Sequence, residues 1–365
     1  MSLFVFFEDW IPDPMSPFSE DAPSPAGDGS LTTRRRVTAS LRLTAVAAAG
    51  LLALTACGSG GSGESTAEAD NAAPATRTVS TEMGDVEIPS EPQRIVSLNP
   101  TLTGDLLSLD ASVASTAVGM SGGVRYDEDG FPVHWNGAAQ EAGVEIFSTT
   151  ADISLEALAS AEPDLIVAGG VGRPMATARD MYDQLSAVAP TIFIDSSDST
   201  WQEQLTTLGE MLGAEDKAAE LLDGYETRVA EVTEGADLPE QPTNVASSGE
   251  NGIQTLTNES PGMRLLTDFG FEPAEEVATP EEGNKEWAPV SEEEITDVFT
   301  GETLLVYESQ TNTPVSELAE DALWSKLPAF ENDSAFPIPT EVRRPDYLAA
   351  MYAADWFEQE FGAQS

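Results

Sequence analysis

From about Thr78 to the C-terminus, short runs rich in Val, Ile, Leu and Phe alternate with stretches of helical character. That alternation restricts the chain to α/β architectures. The runs fall at 94–98, 164–168, 191–194, 244–247, 303–307 and 335–338. Each is brief, as strands buried in a parallel sheet tend to be. Helices are predicted between them. One covers 154–161 and stops at Pro163; Ser199 with Gln202 and Ser291 with Glu294 read as capping boxes opening two others. One stretch is longer. Residues 214–234 contain no proline and only Gly224 among glycines, and Ala218, Leu221, Leu222, Tyr225, Val229 and Val232 recur at helical spacing. A Pro-rich segment follows at 238–242. The pattern predicts two α/β lobes, 78–213 and 237–365, joined by a connecting helix over 214–236. The alternative is a surface helix on one larger domain.

The N-terminus reads as an address. Arg34, Arg35 and Arg36 precede an apolar run of 12 residues, 43–54. A membrane span needs about 20, whereas a signal-peptide core is this short. The run ends in Leu54-Thr55-Ala56-Cys57, and Cys57 is the only cysteine in the chain. The tetrapeptide resembles a bacterial lipobox, which implies cleavage before Cys57 and lipidation of its thiol. Residues 1–56 are therefore expected to be a signal peptide, its first 30 residues an upstream extension from a start site placed too early. Residues 57–77, rich in Gly, Ser and Ala, are expected to be a flexible tether. The implied location is the outer face of the cytoplasmic membrane, on the surface of a Gram-positive type of bacterium, with the lipid as anchor.

Composition removes several function classes. From Cys57 onward there are 58 acidic and 12 basic residues, a net charge of −46. Nucleic-acid binding needs a basic face, so it is excluded as a partner. One cysteine allows no internal disulfide, and the single histidine, His134, allows neither an HExxH site nor a polyhistidine pocket. Neither a cofactor nor a protein metal site is expected. No Gly-x-Ser-x-Gly elbow accompanies His134, which argues against a serine hydrolase.

The chain resembles the iron-siderophore and vitamin B12 substrate-binding proteins of ABC importers. The resemblance covers about residues 78–362 and rests on an ordered set of segments. These are Pro92-Gln93-Arg94-Ile95-Val96-Ser97-Leu98, Ile153-Ser154-Leu155-Glu156-Ala157-Leu158, Glu162-Pro163-Asp164-Leu165-Ile166-Val167, Tyr182-Asp183-Gln184-Leu185, Trp287-Ala288-Pro289-Val290-Ser291 and Leu323-Trp324-Ser325-Lys326-Leu327-Pro328-Ala329. It implies two Rossmann-like lobes on a rigid helix, a ligand cleft between them, and monomeric capture of a ferric siderophore for an ABC permease, with no catalysis. Cobalamin and haem remain open as ligands within the family; an exported hydrolase is the alternative outside it.

A ferric chelate brings oxygen donors and flat faces, which arginines and aromatic walls recognise. Basic and aromatic residues after strand ends are the candidates, because the cleft of such folds lies at the carboxyl ends of the strands. They are Arg173, Arg125, Tyr126, Trp135, Tyr307, Arg343 and Arg344, with Trp287 expected on the cleft wall from the resemblance. His134 is expected to be a packing or surface residue. The family resemblance also implies an acid on each lobe that meets the permease: Asp105 on the first, Glu259 or Asp268 on the second, where Arg264 occupies the matching position. The acidic body favours a neutral or cationic chelate unless local arginines offset it.

Overall fold

The computed structural model describes residues 75–119, 124–149, 152–249, 252–281, 285–309 and 312–363. Cys57 and the leader lie outside them. The described chain opens with an antiparallel hairpin, β1 (Thr76–Thr81) and β2 (Gly84–Pro89). Thr76 and Arg77 thus belong to the folded part rather than to the tether, and Arg77 Nη2 donates to the Glu210 carbonyl at 2.6 Å.

The first lobe is built from β3 (Ile95–Ser97), α1 (Pro100–Ser108), β4 (Val113–Ala117), α2 (Ala138–Glu141), β5 (Glu145–Ser148), α3 (Leu155–Ser160), β6 (Leu165–Gly170), α4 (Gly172–Asp180), α5 (Tyr182–Ser186) and β7 (Thr191–Asp195). Its sheet runs β5-β4-β3-β6-β7, parallel throughout. β3 and β6 are buried along their whole length, which is why they appear in sequence as continuous apolar runs.

Two helices follow, α6 (Trp201–Leu212) and α7 (Glu215–Thr233). The box that opens α6 is Thr200 with Glu203, one residue later than expected. Thr200 Oγ1 accepts from the Glu203 N–H at 3.2 Å, and the Glu203 carboxylate accepts from the Thr200 N–H at 2.8 Å. A carboxylate in the first turn also complements the helix dipole, which the Gln202 amide does not. α7 turns Ala218, Tyr225 and Val232 inward, one every two turns, and Trp201 meets Tyr225 edge-on at 4.7 Å.

The second lobe contains β8 (Thr243–Gly249), β9 (Gly252–Leu256), α8 (Pro261–Asp268), β10 (Trp287–Val290), α9 (Ile295–Val298), β11 (Thr303–Glu308), α10 (Val315–Leu318), α11 (Pro328–Glu331), β12 (Ala335–Pro339) and α12 (Tyr347–Phe361). Its sheet runs β10-β9-β8-β11-β12. β11 is parallel to β8 and β12, while β9 and β10 pair antiparallel. α12 then packs on α7 and also on α1 of the first lobe. Phe357 stacks on Phe269 at 5.0 Å, and Trp201 lies 6.2 Å from Tyr347. One apolar core therefore runs from Ile95 and Leu106 of the first lobe to Leu305 and Phe357 of the second. α7 lies where the connecting helix is expected, and α12 of the second lobe packs against it and against α1.

Candidate ligand cleft

The carboxyl ends of β6 and β7 and the start of α8 border a cavity of about 740 Å3. From the first lobe it is lined by the start of α4, including Arg173 and Met175, and by Asp198 after β7. From the second lobe come Glu259 and Arg264 around the start of α8, and Lys285, Glu286 and Trp287 entering β10. Arg344, between β12 and α12, completes the wall.

Glycines shape the first-lobe side. Gly169 has φ +111°, and a β-carbon there would sit 1.9 Å from the Ile194 carbonyl oxygen. Gly172 has φ +72°, and a β-carbon there would sit 2.9 Å from Arg344 Nη1. Only glycine combines that backbone conformation with so close an approach, so Arg344 can lie against the N-terminus of α4. Asn99, the N-cap of α1, fastens the same loop by donating from Nδ2 to the carbonyls of Gly169 at 2.7 Å and Val171 at 3.1 Å.

Acids hold most of the cavity's cations. Arg344 Nε donates to both Glu286 oxygens, at 2.7 and 2.9 Å. Lys285 Nζ pairs with Asp198 of the opposite lobe. Arg173 reaches Asp152 at 3.3 Å, both side chains largely exposed. Burial, then the adjacent Arg344 charge, hold the Arg343 guanidinium below its ordinary value. Behind the wall, Tyr307 meets Trp287 at 5.7 Å and 64°.

The structure thus gathers Arg173, Trp287 and Arg344 at one cavity and places the other candidates elsewhere. Tyr307 is 1% exposed; it backs Trp287 from the core, and burial pushes its hydroxyl pKa up. Arg343 is half-buried and interacts electrostatically with Glu286 and Tyr307. Trp135 is buried against Phe131, because its loop folds onto the first-lobe core. His134 is buried too, with Nε2 3.7 Å from Asp346 Oδ2. Tyr126 is exposed and donates to the Val118 carbonyl at 2.8 Å. Arg125 borders a separate hollow of about 400 Å3 at the ends of β11 and β12. It is clasped from two sides: its backbone N–H and Nε reach Glu341 at 3.0 and 3.1 Å, and Nη2 reaches the Tyr352 hydroxyl at 2.6 Å.

The acids also differ from expectation. Asp105 is fully buried, accepting from Gln204 Nε2 at 2.6 Å and the Tyr347 N–H at 2.9 Å, so it presents no charge to a permease. Asp268 ends α8 away from the cavity and accepts from the Tyr225 hydroxyl at 2.8 Å. Glu259 is exposed at the cavity rim. Arg264, which the sequence reading set against permease docking, is a cavity residue, and so are Lys285, Glu286 and Asp198, which it did not single out. One signal was available for Lys285: it is one of three lysines and stands two residues before Trp287. Among the described residues no group of three His, Cys, Asp or Glu side chains is placed to hold a metal ion.

Residues 95–342 match the family described as periplasmic binding protein. The ferric enterobactin-binding periplasmic protein FepB of Escherichia coli O6:H1 is 32% identical over 286 residues, covering 76% of this chain and 89% of FepB. The probable siderophore-binding lipoprotein YfiY of Bacillus subtilis is 27% identical over 329 residues, 85% of this chain and 94% of YfiY. Among solved structures, holo-ViuP superposes with a TM-score of 0.66 at 25% identity, over 79% of this chain and 95% of ViuP. Staphylococcus aureus SirA complexed with staphyloferrin B shares the fold, with a TM-score of 0.61 at 20% identity, over 79% of this chain and 100% of SirA.

Proposed function

Because the chain belongs to the periplasmic binding protein family, we propose that it is the extracytoplasmic receptor that captures a ferric siderophore and delivers it to an ABC-importer permease. The observation that carries this reading is a concentration of charge. Four of the 12 basic residues after the leader, Arg173, Arg264, Lys285 and Arg344, line one cavity beside Trp287, against only three of the 58 acids, Asp198, Glu259 and Glu286. In a body of net charge −46 such clustering needs a reason, and an anionic ligand supplies one. Arginine forks suit chelate oxygens and the indole suits a flat aromatic face. The reading therefore favours an anionic chelate of the catecholate type, against the neutral or cationic preference that bulk charge suggests. The name of the FepB relative points the same way. Capture uses contacts alone; no residue has to perform a covalent step.

Lipid anchoring through Cys57 is part of the proposal, supported by the lipobox and by a relative described as a lipoprotein. Docking through Glu259, the exposed acid at the rim, belongs to it as well; a Glu259→Cys variant should crosslink to the permease in membranes, and failure to do so would remove that contact.

The test is titration by tryptophan fluorescence with ferric tris-catecholate, ferric trihydroxamate, ferric citrate, haem and cobalamin. The expected result is saturable quenching by the ferric tris-catecholate and none by its iron-free form. A response to cobalamin or haem alone would keep the family and replace the ligand.

A further inference from the structure

Resting on that reading, the ion pairs inside the cavity carry a second conclusion. We propose that Glu286 and Asp198 are built-in anions that occupy the cavity's cations until a chelate displaces them, and so set how much negative charge a ligand must bring.

The geometry is that of a competitor. Glu286 presents both oxygens to Arg344 Nε, at 2.7 and 2.9 Å, where a ligand oxygen would have to bind. The side chains of Arg344 and Glu286 are only 24% and 15% exposed, so water weakens the pair little. Glu286 also acts electrostatically on the neighbouring Arg343. One carboxylate thus offsets two adjacent arginines. Asp198 does the same for Lys285 across the lobes, but with side chains 80% and 67% exposed.

A charge-assisted hydrogen bond is about twice as strong as a neutral one. The carbonyl oxygens of an uncharged chelate therefore lose to Glu286, whereas a multiply charged catecholate exchanges with it at little cost. Selection arises from a repulsive group as much as from an attractive one. The carboxylates stay in the cavity after exchange and oppose the anion they admit, so removing them should tighten binding.

That sign separates the idea from a positioning role. If Glu286 merely aimed Arg344, its loss would weaken every chelate. The experiment titrates the full-length protein and two variants, Glu286→Gln and Asp198→Asn, with ferric tris-catecholate and an uncharged ferric trihydroxamate, at low and high salt. Glu286→Gln should lower the Kd of the tris-catecholate roughly tenfold, the scale of a hydrogen bond to a charged partner. It should also give the uncharged chelate measurable binding. Asp198→Asn, at an exposed pair, should tighten the tris-catecholate by about two- to fivefold, mostly through a faster, more salt-sensitive association. Asp198 is exposed, so its variant keeps the test valid if Glu286→Gln folds poorly. Unchanged or weaker binding in both variants, with the wild-type protein binding normally, overturns the inference alone. Failure of the wild-type protein to bind either chelate overturns the catecholate reading together with it.

Discussion

Arg344→Ala is expected to weaken binding of an anionic ferric chelate by roughly 10- to 100-fold, because a hydrogen bond to a charged partner contributes about 1.5–3 kcal/mol. Two losses add at this position. The cavity loses its most enclosed fork, the guanidinium that lies against Gly172 of the opposite lobe. Glu286 also loses the Nε–H that its two oxygens share and is left facing the incoming anion. Arg344→Lys should recover part of the loss, since it keeps the charge but not the planar fork. Arg125→Ala is the control. Its contacts are Glu341 and Tyr352, so it should lower thermal stability and leave the Kd nearly unchanged. Isothermal titration of the three variants checks this, and an Arg344→Ala protein that binds within twofold of wild type would remove Arg344 from the site.

Asp105→Asn is expected to stabilise the protein at neutral and alkaline pH. Burial, and after it the charge of Asp346, push the Asp105 carboxyl well above its ordinary value, against the opposing hydrogen bonds from Gln204 and the Tyr347 N–H. Asp346 packs so closely on α1 that a β-carbon at Gly104 would sit 2.0 Å from its Oδ2. It cannot retreat, because Oδ1 caps α12 by accepting from the Ala349 N–H at 2.7 Å. A carboxyl whose folded pKa is raised contributes its full stability below the unfolded value of about 4 and loses it as pH climbs through the folded value. The wild-type protein should therefore lose stability from about pH 4 upward on account of this group. Asparagine carries no charge penalty and its oxygen still accepts from the Tyr347 N–H, while its Nδ2 faces Gln204 Nε2, so the loss of that one hydrogen bond subtracts from the gain. The gain at pH 8 should be on the order of 1–3 kcal/mol, read as a Tm higher by roughly 3–8 °C, and it should shrink toward pH 4. Equal gains at both pH values, or a less stable variant at pH 8, would contradict the account.

Asp105 also shows where sequence reading runs out. An acid in the first helix of such a lobe is easily taken for a surface charge. Its burial depends on Tyr347, 242 positions away, and on Gln204, 99 positions away. The same holds for Arg125, clasped by Glu341 216 positions on. No local pattern announces such contacts. By contrast, the six strands read from apolar runs are all present; β6 and β11, buried along nearly their whole length, show the hydrophobic stretch most plainly. The hairpin β1–β2, the strands β4 and β5 and the antiparallel pair β9–β10 do not stand out as such runs. The hairpin alternates with many exposed polar residues, and Pro289 interrupts β10. Arg173 and Arg344 are legible because their place after a strand end is a local property, whereas Trp287 comes from the family resemblance. Arg264 is not legible in this way, since it stands in the first turn of α8, and only the closeness of the lobes brings it to the same cavity.

The most direct test of the central claim is where the iron sits. A crystal of the protein grown with the chelate that quenches most strongly, measured at the iron absorption edge, locates the metal without assumption. The account predicts one anomalous peak inside the cavity beside Trp287, with chelate oxygens on Arg344 and at least one other of its cations. A peak in the hollow beside Arg125, or on the outer surface, would contradict it.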